Sequence, residues 1–439
     1  MNIVFFALDS LRADRAPPQN NSLAPNLASF SDEAFTFTNA VATGSWTVPS
    51  HTSMFTGQYP SLHGASATTK HFTGNTKTIA ESLSNQDYSS SCIITNPWLT
   101  EQFGLTAGFD KIVDLRDSPP FPDTPDPRES ISTTGLSPTL AKDLLIWVFS
   151  GNPATRLGKA IALKFFYEQT HPDASTVVDA VIDEMNSLSG DSFMFANFMD
   201  PHEPYFDSET RKKVRWNLHS VGKSHSISPD RIRTAYDESV RELDRELGRY
   251  FEYLRQEDLY DDSLIILVGD HGQALGEHGY WGHGTYLYDC LVDVPLFIKP
   301  PGEVDENEID GMFSIRRLYN LILDFTTNGS EVTADVLADY TEDVVIAESD
   351  GPHMNCRYPE DEINESGYRL YKSSNWATLE FRTTDEIEIL KNSTDKSTKT
   401  IRDNIQELKS EHELDTERAS ESIDIDGSTK RQLEELGYM

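Results

Sequence analysis

A chain of 439 residues with 37% hydrophobic and 10% aromatic side chains carries enough apolar material for a large packed core and exceeds what one small domain uses. Its 72 acidic against 37 basic residues give a formal net charge of -35, which repels polyanions and so excludes nucleic acid and anionic membrane as partners. The acidic residues are dispersed rather than gathered in a tail, a pattern that fits a halophilic surface adapted to high salt, with an ordinary acidic protein as the alternative.

In chain order, Ile3–Leu8 reads as a buried strand that starts the fold directly. The segment Met1–Leu8 has no basic region and is too short for a signal sequence, and no apolar run reaches the ~18 residues of a membrane span. A cytoplasmic protein is therefore expected. Pro25–Ala34 and Pro49–Phe55 are predicted as short helices, Ile79–Asn85 as another, followed by a strand near Ser91–Thr95. The stretch Asp117–Pro138, rich in Pro, Ser, Thr and Asp, is expected to be an irregular insertion. Val177, Val178, Val181, Ile182 and Met185 recur at helical spacing within Ser175–Leu188, and Phe193–Phe198 is the next strand. Arg231–Leu254 is a long charged helix, while Ser263–Val268 and Val294–Ile298 are buried strands. From Val344 the texture changes to short strands, Val344–Ala347, Tyr368–Lys372, Ala377–Arg382 and Ile387–Lys391, with a charged helix over Ser420–Leu436. The expected architecture is α/β: a large mixed, mostly parallel sheet sandwiched by helices over residues 1–325, and a smaller C-terminal α+β domain over 326–439. Cys92, Cys290 and Cys356 are too few and scattered for a disulfide framework or a cysteine metal site.

Open α/β sheets place reactive groups just beyond the carboxyl ends of their strands. Asp9 follows the first strand, Asn96 follows the strand ending at Thr95, Asp200 and His202 follow the strand ending at Phe198, and Asp270 and His271 follow the strand ending at Val268. One such Asp is an ordinary turn residue; several strand ends so furnished point to a site. Thr47 stands just ahead of a predicted helix start marked by Pro49, where free backbone N–H groups favour an oxyanion. Its plain alternative is an N-cap hydroxyl.

These segments resemble the sulfatase-like family of the alkaline phosphatase superfamily. The resemblance rests on Asn2–Asp14 with Ala24–Leu27, on Thr47-Val48-Pro49-Ser50-His51 with Thr56–Gly64, and on Asp200–Tyr205. Gly269–Gly272, Leu275–Gly279, Val294–Leu296 and the terminal Leu436-Gly437-Tyr438 extend it, in the right order over most of the chain. The departures are informative. Sulfatases proper use a Cys or Ser oxidised to formylglycine, followed two positions on by Pro-Ser-Arg or Pro-Ala-Arg, whereas Thr47 cannot become that aldehyde and His51 replaces the Arg. Ser10 stands for the second Asp of the usual pair, His271 for the usual Asn, and His283 where many sulfatases have Lys. The pattern is similar to the branch with a Thr nucleophile, which includes phosphoglycerol transferases and phosphodiesterases.

The resemblance implies a metal-dependent hydrolase or transferase that cleaves phosphate mono- or diesters through a covalent intermediate on Thr47. Asp9, Thr47, Asp270 and His271 would hold one divalent cation, Mn²⁺ or Zn²⁺ favoured and Mg²⁺ possible, because a nitrogen ligand argues against a hard all-oxygen site. Two-metal relatives add an Asp-x-x-x-His segment, and here Pro204 stands four residues after Asp200. His202, His51 and His283 would be catalytic and Asn96 would bind substrate, a small-molecule, glycan or lipid-headgroup phospho- or sulfo-ester. The alternatives are a sulfuric-ester hydrolase working without formylglycine, and a non-catalytic metal-binding scaffold. Oligomeric state stays open.

Overall fold

The computed structural model describes residues 1–74, 76–116, 142, 146–158, 171–207, 212–214, 228–304, 307–328, 332–350, 367–381, 386–393, 397–414, 425, 429–430 and 433. The segment 117–138 lies outside these, as does nearly all of the helix expected over 420–436. Two compact units emerge, one of Met1–Leu115 with Pro172–Met439 and one of Arg116–His171. Within the second, Arg156 lies over the Trp147 ring at 5.2 Å and donates to its backbone carbonyl.

The first unit is built on strands β1 (Asn2–Leu8), β2 (Phe35–Val41), β3 (Ser89–Ile94), β4 (Lys111–Asp114) and β5 (Ser192–Phe198). A small hairpin of β6 (Tyr205–Asp207) and β7 (Lys212–Val214) follows, then β8 (Ser263–Gly269) and a two-stranded ribbon of β9 (Ala274–Leu275) and β10 (Trp281–Gly282). Strands β11 (Asp293–Val294), β12 (Leu296–Lys299) and β13 (Glu308–Ser314) return to the main sheet. Its order is β11-β2-β12-β8-β1-β5-β3-β4, with β13 also pairing β2. The β8-β1-β5-β3-β4 block is parallel and β12 is antiparallel to both its neighbours.

Strand β1 is apolar from Ile3 to Leu8 because both faces of the sheet are covered. Ile3, Phe5 and Ala7 pack on one side with the helices Thr47–Thr56, Ile79–Ser84 and Arg317–Asn328. Val4, Phe6 and Leu8 pack on the other with Pro25–Ser31, Ala174–Met185 and Pro229–Gln256. Each large side chain fully buried in this way contributes roughly 1.5–3 kcal/mol, and a slip of one residue would exchange the two faces of the strand. The register is therefore well determined, and it sets where every strand ends.

Several elements differ from the sequence reading. The helix expected over 49–55 begins two residues earlier, at Thr47, and the one expected over 25–34 stops at Ser31. The single strand expected over 294–298 is two, interrupted at Pro295, which has no N–H to donate; Val294 pairs with β2 and Leu296 with β8. Strands β2, β4 and β13 and the helix Thr398–Glu411 were not expected. The first three are short or polar in part and gain their stability from neighbours.

After the helix Arg317–Asn328, which spans the 325/326 boundary expected from the sequence, the chain forms a smaller antiparallel sheet. Its strands are β14 (Val345–Ser349), β15 (Tyr368–Lys372), β16 (Trp376–Phe381) and β17 (Glu386–Asn392), paired in that order. Ile401, Ile405 and Leu414 cover one face of it, against Ile346, Tyr371 and Trp376. No helix among the described residues is long and apolar enough to cross a membrane.

Candidate active site

The ends of three central strands are flush, since Leu8 pairs with both Phe198 and Gly269. Asp9, the turn from Met199 to His202, and Asp270 with His271 therefore leave the sheet side by side. The Asp9 amide still donates to the Phe198 carbonyl at 2.8 Å, which extends the ladder by one residue and fixes the first carboxylate.

Ser10 turns the chain sharply away, with a φ of 62°, a left-handed conformation that costs a non-glycine residue energy and persists only where surroundings enforce it. They do: its amide donates to Asp270 Oδ1 at 3.1 Å, its hydroxyl to Asp9 Oδ1 at 3.0 Å, and its carbonyl accepts from the buried Tyr236 hydroxyl at 2.7 Å. Where the family pattern has a second carboxylate, this chain has a hydroxyl that orients the first.

Thr47 is the first residue of a wholly buried ten-residue helix whose preceding residue, Trp46, is extended. It does not stand ahead of the helix as the sequence suggested, and no side chain caps this helix start. The hydroxyl of Thr47 is thus not engaged as an N-cap. It accepts instead from Asn96 Nδ2 at 3.2 Å, and the same nitrogen donates to Asp9 Oδ2 at 2.8 Å. The orientation of Asn96 is set by its own local duty, because its Oδ1 caps the turn Pro97–Leu99 by accepting from the Trp98 amide at 2.9 Å. That leaves the amide nitrogen facing the site. Gly44 lets Pro49 approach, since a Cβ there would lie 2.8 Å from the proline ring.

Asp9, Asp270 and His271 are fully buried, and one ligand atom of each lies within 4.8 Å of the others. His271 Nε2 is 3.6 Å from both Asp9 Oδ1 and Asp270 Oδ2. Asp270 Oδ1 takes the amides of Ser10 and His271, while Asp270 Oδ2 and His271 Nε2 have no hydrogen-bond partner. Unpaired polar atoms at this depth are costly, about 1–3 kcal/mol each, and two of them 3.6 Å apart could be satisfied by one shared partner. Burial, followed by the negative charge of Asp9, pushes the Asp270 carboxyl well above its ordinary value. For Asp9, burial also opposes ionisation, yet His202, His271, the Asn96 amide and His51 together hold its carboxyl below the ordinary value. Burial pulls His271 down to about 4, so it is neutral at pH 7, as a ligand must be. Two carboxylates, an imidazole and a threonine hydroxyl are a donor set that fits one divalent cation.

The remaining expected residues divide. His202 Nδ1 pairs with the Glu203 carbonyl at 2.6 Å and His283 Nδ1 with Gln273 Oε1 at 2.6 Å. Their rings lie 5.0 Å apart, and His283 is 4.6 Å from the His271 ring, so three histidines line one wall. His51 sits beneath the site instead. Its Nδ1 is 3.0 Å from the Thr47 carbonyl and 3.4 Å from Asp270 Oδ2, and its ring meets Phe55 and Phe195 edge-on, with burial lowering its pKa to about 4. Asp200, at a strand end like Asp9 and Asp270, accepts from the Ala174 amide at the start of the helix Ala174–Met185.

Two residues of this region were missed. Arg12 joins the β1 and β8 loops, donating to the Gln273 carbonyl at 2.9 Å, to Glu277 at 2.8 Å and to both oxygens of Asp14 at 2.8 Å. Gln273 holds His283 and also Tyr205. Position just past a strand end was the available signal for both, but nothing in the spacing names their partners.

A doubly covered sheet with reactive side chains massed at its carboxyl edge is the architecture of an α/β enzyme. The chain belongs to the sulfatase family, whose model, described as Sulfatase, matches residues 1–328, and it is an ester-cleaving enzyme. An arylsulfatase of Clostridium perfringens (strain 13 / Type A) is 23% identical over 365 residues, 74% of either chain. The multifunctional alkaline phosphatase superfamily protein PehA of Trinickia caryophylli is 39% identical over 72 residues, which span 16% of this chain and 14% of that one. Among solved structures, the phosphonate monoester hydrolase SpPMH from Silicibacter pomeroyi shares the fold with a TM-score of 0.66 at 17% identity, covering 94% of this chain and 95% of that one.

Proposed function

We propose that this enzyme cleaves phosphate mono- or diesters through a covalent intermediate on Thr47. One divalent cation would be held by Asp9, Thr47, Asp270 and His271. The observation that carries the reading is the Thr47 hydroxyl, which is excused from capping its helix and shares one amide nitrogen with the ligand Asp9. A mixed oxygen and imidazole set favours Mn²⁺ or Zn²⁺, with Mg²⁺ possible. When bound, such a cation acidifies a hydroxyl and neutralises ester charge.

The chain's own groups do the rest. Thr47 Oγ1 attacks the ester centre in line with the leaving group. Asn96 Nδ2 is directed by its cap toward a non-bridging oxygen. His202 and His283, each with Nδ1–H committed to an oxygen, offer a bare Nε2 to the reacting centre; the proton released by Thr47 Oγ1 on attack is taken up there and returned to the departing alkoxide. His51 steadies Asp270 and the first turn of the Thr47 helix from below. Water or an acceptor alcohol then releases Thr47, so hydrolysis and transfer share the first step. Placement and charge stabilisation of this kind make up most of phosphoryl-transfer catalysis. A substrate with a small-molecule, glycan or lipid-headgroup alcohol is compatible.

A second reading, sulfuric-ester hydrolysis, is favoured by the family match itself. Metal-replete enzyme should be assayed in parallel on an aryl phosphate, an aryl phosphate diester and an aryl sulfate. Preference for the sulfate would install the second reading. Thr47→Ala should lose at least about 10³-fold in rate while remaining folded, and Thr47→Ser should keep measurable activity. Turnover by Thr47→Ala within about tenfold of the parent would remove Thr47 as the nucleophile.

A further inference from the structure

The three histidines of the site wall are held differently. His202 and His271 direct Nδ1 at backbone carbonyls, of Glu203 at 2.6 Å and Gly272 at 2.8 Å. A carbonyl only accepts, so each ring must carry its proton on Nδ1 and offer Nε2 to the site. His283 is the exception: its Nδ1 meets the side-chain amide of Gln273, a group with an accepting end and a donating end. Which end faces the ring decides where the ring keeps its proton. Turned one way, the amide oxygen takes the proton of Nδ1 and Nε2 is the exchangeable atom facing the site. Turned the other way, Nδ1 is blocked and Nε2 already carries the hydrogen.

In the structure the amide is turned with its oxygen toward His283. Gln273 is 1% exposed, and its Nε2 donates to the buried Tyr205 hydroxyl at 2.6 Å, which leaves Oε1 for His283. Tyr205 is itself fixed: its ring packs edge-on against Tyr236 at 5.6 Å, and burial holds its hydroxyl far above its ordinary pKa, in the neutral form. The backbone of Gln273 is pinned as well, because Arg12 donates to its carbonyl at 2.9 Å. Main chain and side chain are thus both fixed for a residue that touches neither the carboxylates nor Thr47.

We infer that Gln273, held by Tyr205, is a positioning residue that fixes the neutral His283 ring as the Nδ1–H tautomer, so that its bare Nε2 first takes the proton the Thr47 hydroxyl gives up on attack and then returns that proton to the departing alkoxide. This rests on the proposed role of His283 in leaving-group protonation. Groups that orient a metal-ligating histidine through its outer nitrogen are typically worth about 10–100-fold in activity, and an effect of that size is expected for His283.

The test uses the full chain, loaded with diamagnetic Zn²⁺ and labelled with ¹⁵N-histidine, so that tautomers are read from nitrogen shifts without any substrate. His283, assigned by its loss in His283→Gln, should show a protonated Nδ1 and a pyridine-type Nε2. A protonated Nε2 with a bare Nδ1 in the parent enzyme overturns the inference at once. Gln273→Met should mix the tautomers and lower kcat about 10–100-fold with KM within about twofold. Gln273→Glu, whose carboxylate still accepts from Nδ1, should restore the Nδ1–H signature and most of kcat. Tyr205→Phe should reproduce the tautomer mixing in milder form, and it serves where Gln273→Met does not fold. A parent-like kcat and spectrum in both Gln273→Met and Tyr205→Phe would also end the inference. The spectra do not depend on Thr47, so loss of the nucleophile assignment and loss of this one are separate results.

Discussion

Arg369, Glu348 and Glu380 of the C-terminal sheet and Lys409 of the helix Thr398–Glu411 are buried, like the residues at the carboxyl edge of the main sheet, yet their surroundings are of the opposite kind. Glu348 accepts from Arg369 at 2.7 Å and from the Ser61 amide at 2.7 Å. Glu380 accepts from Tyr371 at 2.9 Å and from Lys409 at 3.1 Å, with Arg369 at 3.5 Å. Every carboxylate oxygen of that cluster has a donor from within the chain. At the carboxyl edge, Asp270 Oδ2, His271 Nε2 and His51 Nε2 have none, and two buried carboxylates face each other with only neutral groups between them. One cluster is closed and finished by folding. The other keeps unpaired atoms that a cation could hold together, at a cost to the folding free energy.

The largest effect should come from closing the open cluster. Asp270→Asn keeps the oxygen that accepts from Ser10 and His271, and replaces the unpaired oxygen with a neutral amide. It should abolish turnover by several orders of magnitude and reduce bound metal below the one equivalent per chain expected of the parent by elemental analysis. The metal-free variant should nevertheless melt above the metal-free parent, because a buried repulsion is gone. A lower melting temperature for the metal-free variant would mean that the open cluster carries no stored cost.

The converse substitution opens the closed cluster. Arg369→Met leaves Glu348 with only the Ser61 amide and Glu380 with fewer donors, and should cost about 3–5 kcal/mol in chemical denaturation. Because no site residue changes, kcat should hold in the folded fraction. A loss below about 1 kcal/mol would show that the pairs merely offset their own desolvation. The smallest effect concerns the surface that both clusters share. With a net charge of -35, self-repulsion in dilute buffer should be relieved by salt, and the melting temperature should climb by several degrees or more between dilute buffer and molar KCl. A flat profile would remove the halophilic reading and leave the enzymatic one untouched.

Much of this molecule follows from its sequence alone. The continuous apolar runs of β1, β5 and β8 dictate buried parallel strands, because only a sheet covered on both faces has use for them, and an Asp or His just past each run marks the edge where chemistry sits. Asp9, Asp270 and His271 were legible as candidates for that reason, and Thr47 through a helix start and the family resemblance. Pairing across the fold was not legible. That Asn96 serves both Thr47 and Asp9, that His51 lies under the site among phenylalanine rings, and that Gln273 rather than a backbone carbonyl holds His283 depend on strands distant in sequence ending flush. The same holds for β2 and β13, whose mixed, partly polar sequences become strands because the sheet offers them partners. Local pattern fixes what a segment prefers; which side chains meet is decided by register and packing, whose energies arise only once the whole sheet has formed.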